Sequence, residues 1–296
     1  MFSDTHFHFC SLDESCGVTR AEILRQMAGH DCRFGLDIGT RCDDLSVRQE
    51  TVIKAAGILD EAERNKVLGF YYFTAGIWPS PEAIRDRFNQ MKILEKNISS
   101  VMENGSPFEK KICALGEFGL DHHWNPSGVD GRNESDFDQD MYHAEAELFE
   151  MQLELCKKTN LPAIIHSRDA FDDTVSCLKN AGWHNGVIHC YSYGKREAEI
   201  FLDMGWYLAF GGAVTYAKKS KMEEMAELLR YVPADRLLIE TDAPYLSPVP
   251  LRGKPNNPLN IEHTYRFIAE RRGISVEDLC ELTDRNIASL FKVNIL

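Results

Sequence analysis

Short apolar runs alternate with longer amphipathic stretches along almost the whole chain. The short runs predict eight strands, and stretches such as LSVRQETVIKAAGILDEAER and EAELFEMQLELCKKT carry apolar residues at helical spacing. Nearly continuous apolar strands that are separated by helices are typical of a parallel sheet. The predicted strands are Phe2–Phe9, Phe34–Gly39, Val67–Ile77, Ile112–Glu117, Ala163–His166, Gly186–His189, Trp206–Phe210 and Leu237–Thr241.

Eight strand–helix repeats in a chain of 296 residues predict an α/β fold of the (β/α)8 TIM-barrel type, with residues 1–296 as one domain. The tail NIEHTYRFIAERRGISVEDLCELTDRNIASLF predicts the helix of the eighth repeat and one extra C-terminal helix. The stretch NPSGVDGRNESDFDQD after the fourth strand predicts an irregular insertion. A doubly wound open sheet is the alternative, but its usual Gly-rich phosphate loop does not follow the first predicted strand.

Composition restricts the setting in which the protein works. No apolar run reaches the length of a membrane span, so we expect no membrane association. The first motif begins at Asp4, which leaves no room for a signal peptide before it. The nine cysteines are scattered without C-x-x-C pairs, which is typical of reduced thiols in a cytoplasmic protein. The formal charge of −13 disfavours general attraction to duplex nucleic acid, so a polyanionic substrate would need a local positive charge.

The motif DTHFH near the N-terminus places Asp4, His6 and His8 at alternate positions. Alternate residues of a strand point to the same face, so these three side chains would share one face. Two imidazoles at this spacing can bind one metal ion, although histidines that only form hydrogen bonds fit the motif equally well. The motif alone therefore leaves both interpretations open.

Further polar residues lie at the ends of other predicted strands. Barrel enzymes carry their catalytic residues at the C-terminal ends of the strands. Taken singly, each residue has a structural explanation, and Asp121 in particular fits a helix cap or a loop residue. Taken together, four histidines and two acids at one rim predict a metal centre. The residues at strand ends are His6, His8, Glu117, Asp121, His166, Arg168, His189, Glu240 and Asp242.

The donor types indicate the chemistry of this centre. Nitrogen and carboxylate ligands without cysteine suit Zn²⁺, Mn²⁺ or Mg²⁺ in hydrolytic sites, and Glu117 could bridge two ions. Two divalent ions with Glu117 and Asp242 would keep a surplus charge of about +2. Such a surplus favours a hydroxide at neutral pH and an anionic, phosphate-bearing substrate.

The motifs DTHFH, GEFGLD, FEMQLELCKKTNLPAIIHSRDA, IHCYS and IETDAPYLSP, in this order, resemble the TatD family of metal-dependent deoxyribonucleases in the amidohydrolase superfamily. The resemblance extends from Asp4 to about Asn286 and implies two divalent metal ions (Mg, Mn or Zn) as cofactors. It implies that His6 and His8 bind one ion, that Glu117 bridges, and that His166 and His189 bind the second ion. Asp242 would bind the first ion and orient or deprotonate the attacking water.

The resemblance also indicates residues around the centre. Arg168, Arg252 and Lys254 would contact phosphate, with ordinary surface charge as the alternative explanation. Glu240 would support the ligands or bind an extra ion, with a buried structural acid as the alternative.

Three short stretches depart from the family pattern. The turn after the third strand usually contains histidine, and here it reads GIWP with Trp78 at that position. The run after GLD reads HHW instead of ending in arginine, and the sixth motif continues as YSY. These departures leave the substrate open. Trp78 would either stack on a nucleobase or pack inward against the third helix.

Three functional hypotheses follow. The first is a phosphodiesterase that trims single-stranded DNA from an end, with DNA as substrate. The second is a metal-dependent hydrolase of another ester or amide bond, for example in aminoacyl-tRNA or a small molecule. The third is a metal-binding scaffold without catalysis. The complete set of six candidate ligands favours the two enzymatic hypotheses.

Overall fold

The computed structural model describes residues 2–12, 17–101, 105–128 and 131–295. Eight strands form one sheet in which each strand pairs in parallel with the next along the chain, in the order β1 to β8. The strands are β1 Ser3–Phe7, β2 Phe34–Asp37, β3 Tyr71–Ala75, β4 Ile112–Asp121, β5 Ala163–Arg168, β6 Gly186–Ile188, β7 Tyr207–Phe210 and β8 Leu237–Ile239.

The seam between β1 and β8 almost closes this sheet into a barrel. The amide of Asp242 donates to the carbonyl of His6 at 2.8 Å, and the amide of His8 donates to the carbonyl of Ala243 at 2.8 Å. The buried Asp4 carboxylate accepts hydrogen bonds from the Thr241 amide at 3.0 Å and the Thr241 hydroxyl at 2.6 Å. The predicted (β/α)8 fold is confirmed, and Asp4 uses its carboxylate to join the two ends of the sheet.

Helices connect the strands on the outside of the barrel. None of the helices that the described residues form is long and apolar enough to cross a membrane. The α-helices are α1 Arg20–Gly29, α2 Leu45–Ala56, α3 Glu61–Phe70, α4 Pro81–Arg85, α5 Arg87–Val101, α6 Gln139–Thr159, α7 Phe171–Ala181, α8 Lys195–Asp203, α9 Met222–Tyr231, α10 Ile261–Arg272 and α11 Val276–Phe291.

The segment before β3 differs from the expectation. The stretch LSVRQETVIKAAGILDEAER forms two helices, because Asp60 caps the start of α3 with a capping box that includes Glu63. The predicted strand Val67–Ile77 begins only at Tyr71, since α3 continues through Phe70. Val67 and Phe70 are buried at a spacing of three residues, so this apolar run serves a helix and a strand in succession.

The extra C-terminal helix α11 covers one end of the barrel. Its residues Ile287, Leu290 and Phe291 pack in one cluster with residues of six strands, including Phe34 and Leu238. The side-chain amide of Asn286 also donates to the carbonyl of Leu237, the first residue of β8, at 2.8 Å. Because α11 covers the end at which the strands begin, the opposite rim is the end available for a site.

The predicted insertion after β4 is irregular apart from one turn of 3₁₀ helix at Glu134–Asp136, and its residues 129 and 130 lie outside the described residues. It ends where α6 begins at Gln139. One residue of the insertion, Arg132, is completely buried. The insertion is therefore attached to the barrel by a charged side chain.

Candidate metal centre

The six predicted ligands come together at the rim where the strands end. His6 belongs to β1, Glu117 to β4 and His166 to β5. His8 and His189 follow directly after β1 and β6, and Asp242 is the third residue after β8. Parallel strands of a barrel end at the same rim, so residues that are far apart along the chain become neighbours.

One group of candidate ligands surrounds Glu117. The Nε2 atom of His6 lies 3.0 Å from Glu117 Oε2, and the Nε2 atom of His189 lies 3.1 Å from the same oxygen. The two imidazole rings stack with centroids 4.0 Å apart, and all three residues are buried. The ligand atoms of this group are close enough together to bind one ion.

A second group shares His6. The Oδ1 atom of Asp242 lies 3.5 Å from His8 Nε2 and 3.7 Å from His6 Nε2. Asp242 has a φ of 55°, in the left-handed region that residues other than glycine rarely adopt. Its amide bonds to the carbonyl of His6, and its own carbonyl accepts from the amide of Tyr245 at 2.8 Å. These bonds hold an uncommon backbone conformation at the point where the carboxylate meets the histidines.

His166 connects this centre to a carboxylate behind it. Its Nδ1 atom lies 3.1 Å from His189 Nε2, and its Nε2 atom lies 3.0 Å from Asp121 Oδ2. Burial would raise the pKa of Asp121, but the neighbouring His166 lowers it, so the carboxylate is ionised at neutral pH. Carboxylates in this position fix the ring orientation and the tautomer of histidines that bind metals.

Sequence reasoning assigned Asp121 to a cap or loop and so missed this contact. A signal was present, because Glu117, Gly119 and Asp121 alternate along β4. Gly119 has a φ of 152°, and a Cβ atom there would lie only 1.9 Å from the carbonyl oxygen of His166. The glycine permits the close approach of β4 to β5 that brings Asp121 to His166.

Glu240 has a similar position behind His189. Its Oε1 atom lies 3.5 Å from His189 Nδ1 and accepts the amide of Cys190 at 2.6 Å. Glu240 is almost completely buried. It therefore lies on the side of the His189 ring that faces away from Glu117, as a supporting carboxylate does.

Several polar atoms of the centre remain unsatisfied. Within the part of the chain that the structure describes, no partner with suitable hydrogen-bond geometry is found for His6 Nδ1 and Nε2, Glu117 Oε2, His189 Nδ1 and Glu240 Oε2. Buried polar atoms without partners are costly and rare in folded proteins. These nitrogen and carboxylate donors suit a divalent cation, so the residues present fit a metal ion.

The pKa values of His189, Glu117 and His6 also indicate that the charges of the centre are not fully balanced without an ion. Burial would lower the pKa of His189, but the carboxylates of Glu117 and Glu240 raise it to about 9. Burial would raise the pKa of Glu117, but His189 and His6 lower it well below its ordinary value. Burial and the charge of His189 lower the pKa of His6. Without an ion, a proton on His189 offsets only part of the charge of the carboxylates, and an ion would displace this proton.

The predicted substrate-binding residues lie around this centre rather than in it. Arg168 is exposed at the end of β5, and Arg252 and Lys254 are exposed between β8 and α10. Trp78 is half-buried, and its ring centroid lies 6.0 Å from that of His166, edge to face. Tyr245, which sequence reasoning did not single out, is 56% exposed and has its ring centroid 5.9 Å from that of His8.

Histidines and carboxylates gathered around unsatisfied atoms at the rim of a (β/α)8 barrel define the class of metal-dependent hydrolases with this fold. The chain matches the family described as TatD related DNase over residues 3–292. It therefore belongs to the TatD family, as the resemblance of its motifs predicted.

Individual relatives agree with this assignment. YabD of Bacillus subtilis, called an uncharacterized metal-dependent hydrolase, is 34% identical over 298 residues, or 99% of this chain and 100% of that protein. A Rahnella protein called 3′-5′ ssDNA/RNA exonuclease TatD is 32% identical over 189 residues, or 62% of this chain and 66% of that protein. The crystal structure of YjjV, a TatD homologue from Escherichia coli K12, has the same fold with a TM-score of 0.75 at 24% identity, covering 99% of this chain and 98% of that one.

Proposed function

We propose that this metal-dependent hydrolase cleaves phosphodiester bonds of single-stranded DNA from an end, with two divalent ions as cofactors. His6, His8 and Asp242 would hold one ion, His166 and His189 the other, and Glu117 would lie between the two. Zn²⁺, Mn²⁺ and Mg²⁺ all suit these donors. Bound ions would supply Lewis acidity toward a phosphoryl oxygen and would lower the pKa of the attacking water.

Asp242 is the residue that we assign to proton transfer. Burial would raise the pKa of its carboxyl group, but His8 and His6 lower it, so it is ionised at neutral pH. Its Oδ1 atom lies between the two histidines, within 3.7 Å of each. A carboxylate in this position can orient the attacking water and accept its proton. The four histidines and Glu117 would hold the cofactors in place for this step.

The proposal of a polyanionic substrate rests on the charge of two loops at the rim. Residues 211–221, after β7, and 243–260, after β8, contain no Asp or Glu, although the whole chain has a net charge of −13. We call them the basic loops, since their charged residues are Lys218, Lys219, Lys221, Arg252 and Lys254. The Arg252 guanidinium lies 4.3 Å from the Tyr216 ring centroid, and the Tyr216 hydroxyl donates to the Ser247 carbonyl at 2.6 Å. The two loops thus form one surface.

This surface begins at the metal centre. Tyr245 lies on the second basic loop, beside His8. Proteins that bind single strands combine positively charged grooves with exposed aromatic rings on which bases stack. The basic loops offer both, and Arg168 at the end of β5 and Trp78 after β3 lie at the same rim. The name of the Rahnella relative, a single-strand DNA and RNA exonuclease, supports the same substrate class.

Replacing Lys218, Lys219 and Lys221 together by glutamine tests the basic loops. We expect KM for a single-stranded oligonucleotide to rise roughly tenfold and its dependence on salt to weaken, because fewer phosphates are neutralised. Turnover of a small phosphodiester such as bis(p-nitrophenyl) phosphate should not change.

The matched control replaces Lys157, Lys158 and Lys179 by glutamine. These lysines are exposed as well, but they lie near the C-terminal ends of α6 and α7, away from the rim. Equal effects of the two triple variants would show that only net charge matters and would remove the basic loops from substrate binding.

One observation favours a second candidate, a hydrolase of another ester or amide bond. Trp78 places an apolar ring beside His166, at the position where the family pattern usually has a histidine. Such a ring could suit a bulky uncharged substrate as well as a nucleobase.

A screen of single-stranded DNA, duplex DNA, RNA, carboxyl esters and amides with Mg²⁺, Mn²⁺ and Zn²⁺ separates the two candidates. Release of mononucleotides from single-stranded DNA, and its loss in Asp242→Asn, would support the proposal. Cleavage of esters or amides alone would refute it. No turnover with bound metal would favour the scaffold hypothesis.

A further inference from the structure

The insertion after β4 contains an arginine in an unusual environment. Arg132 has no exposed surface, and aromatic rings surround its guanidinium. Its central carbon lies 4.3 Å from the Phe137 ring centroid and 5.6 Å from the ring centroids of both Trp78 and Trp124. Arginine is almost never fully buried unless it is paired, and a desolvated guanidinium against aromatic faces is a favourable arrangement.

The guanidinium of Arg132 joins three separate parts of the chain. It donates to Glu145 Oε1 of α6 at 3.0 Å. It also donates to the carbonyl of Asp121 at the end of β4 and to the carbonyl of Pro79 in the loop after β3. Glu145, which is buried as well, accepts the amide of Asp121 at 3.3 Å through the same Oε1 atom. The ion pair of Arg132 and Glu145 therefore fixes both main-chain polar groups of Asp121.

Asp121 transmits this constraint to the metal centre. Its carboxylate lies 3.0 Å from His166 Nε2, and His166 turns its Nδ1 toward His189. We propose that Arg132 is a positioning residue, which fixes the His166 ring for metal binding through Asp121 and holds Trp78 beside it. This inference rests on the proposed function, in which His166 is a ligand of the second ion.

The inference gives two of the three departures from the family pattern, the GIWP turn and the HHW run, a common physical basis. Trp78 and Trp124 both contact the guanidinium of Arg132. His122 lies 3.1 Å from the second oxygen of Glu145. Residues that look unrelated in the sequence thus form one cluster around Arg132. We call this group, with Phe137, the Arg132 cluster.

The test measures metal binding and not only activity. We would titrate metal-free wild-type protein with Mn²⁺ and Zn²⁺ by calorimetry, together with Arg132→Lys and Arg132→Met. Loss of residues that support metal ligands typically weakens affinity 10- to 100-fold. We expect a loss of this size in one binding step, with the other step changed by less than about threefold. The absorption spectrum of Co²⁺-loaded protein should change in the same variants, since it reports ligand geometry.

Two further variants separate positioning from stability. Asp121→Asn keeps the shape of the residue and should weaken the same binding step. Arg272→Met removes a half-buried arginine that donates to the carbonyls of Leu229 and Val232, at the opposite end of the barrel. We expect it to lower the stability of the protein and to leave both binding steps unchanged.

The outcomes are distinct. Wild-type binding in two steps, with normal affinities in Arg132→Lys and Arg132→Met, would overturn the inference and leave the proposed function standing. Equal weakening of both steps, or failure of both variants to fold at low temperature, would also overturn it, because Arg132 would then act through stability alone. A wild-type protein that binds no divalent ion would overturn the proposed function and this inference together.

Discussion

Two buried polar clusters lie close together in this barrel, and only one of them is complete. In the first, which we call the Arg48 network, Arg48 donates to Asp44 Oδ1 at 2.9 Å and to the carbonyls of Asp37 and Thr74 at 3.1 and 2.5 Å. The Asp37 carboxylate accepts from the Tyr71 hydroxyl at 3.1 Å. The second cluster is the candidate metal centre, in which several buried nitrogen and oxygen atoms of His6, Glu117, His189 and Glu240 have no hydrogen-bond partner among the described residues.

The difference separates a structural cluster from a binding site. Both clusters are buried and both contain acids, so neither burial nor composition tells them apart. In the Arg48 network the chain supplies its own cation. In the candidate metal centre the carboxylates of Glu117 and Glu240 raise the pKa of His189 to about 9 despite its burial, and the ion-pair partners of these carboxylates among the described residues are histidines. Unsatisfied atoms, rather than the number of charges, indicate where a ligand belongs.

The largest expected effect comes from breaking the complete cluster. Arg48→Met should lower the free energy of unfolding by about 3–5 kcal/mol, because Asp37 and Asp44 would lose their buried cation. Urea denaturation in the presence of EDTA measures this loss. Arg41→Met, which changes an exposed arginine on the same side of the barrel, should cost less than about 0.5 kcal/mol. Similar costs for both variants would show that the Arg48 network adds no stability of its own.

The metal centre should respond in activity instead. Asp242→Asn should reduce turnover by about 10²-fold or more, because the amide cannot accept a proton from the attacking water. Its free energy of unfolding in EDTA should stay within about 1 kcal/mol of the wild-type value, in the range of an ordinary single substitution. Steady-state kinetics and urea denaturation of the same preparation measure both effects. Turnover near the wild-type rate would remove Asp242 from the mechanism.

Adding a cation should complete the second cluster. A divalent ion at 100 times its dissociation constant should stabilise the folded protein by about 2.7 kcal/mol, since it binds the native state alone. Thermal unfolding with Mn²⁺, with Zn²⁺ and with EDTA measures this shift. His6→Ala should lose most of the stabilisation, because both groups of candidate ligands share His6. Stabilisation of equal size in His6→Ala would place the bound ion elsewhere.

A smaller effect should appear in the pH dependence of stability. Burial raises the pKa of Asp37 to about 6, even though Arg48 counteracts it. An unfolded aspartate titrates near pH 4. Between about pH 4 and 6 the folded protein therefore binds more protons at this group than the unfolded chain does. The contribution of Asp37 to the free energy of unfolding should fall as the pH rises through this window, and level off above it.

The difference in unfolding free energy between wild type and Asp37→Asn, measured in EDTA from pH 4 to 7, isolates this contribution. A difference that stays constant across the window would mean that Asp37 keeps its ordinary pKa in the folded state.

The sequence was sufficient to predict the barrel and the candidate ligands for one physical reason. Strands that run in parallel end at the same rim, so His6, His189 and Asp242 could be placed together from their positions at strand ends. Local pattern was less informative before β3, where one apolar run contains the end of α3 and the start of a strand.

The residues that support the candidate ligands could not be predicted from strand positions in the same way. Asp121 acts on His166 across two strands, and Arg132 binds groups from the loop after β3, from β4 and from α6 at once. The position of Asp121 follows the alternation of β4, but the contacts of Arg132 follow no period in the sequence. They depend on how an irregular segment folds back on the barrel, which only tertiary packing decides.

The seam between β1 and β8 has a consequence for the order in which the protein folds. It joins residues that are 237 positions apart along the chain, such as Asp4 and Thr241, so we expect the seam to close late in folding. His6 and His8 lie on one side of the seam and Asp242 on the other. A partly folded barrel would therefore have no complete site for the first ion. Cation uptake at His6, His8 and Asp242 would report the last step of folding, and chains that had not finished would bind the ion poorly.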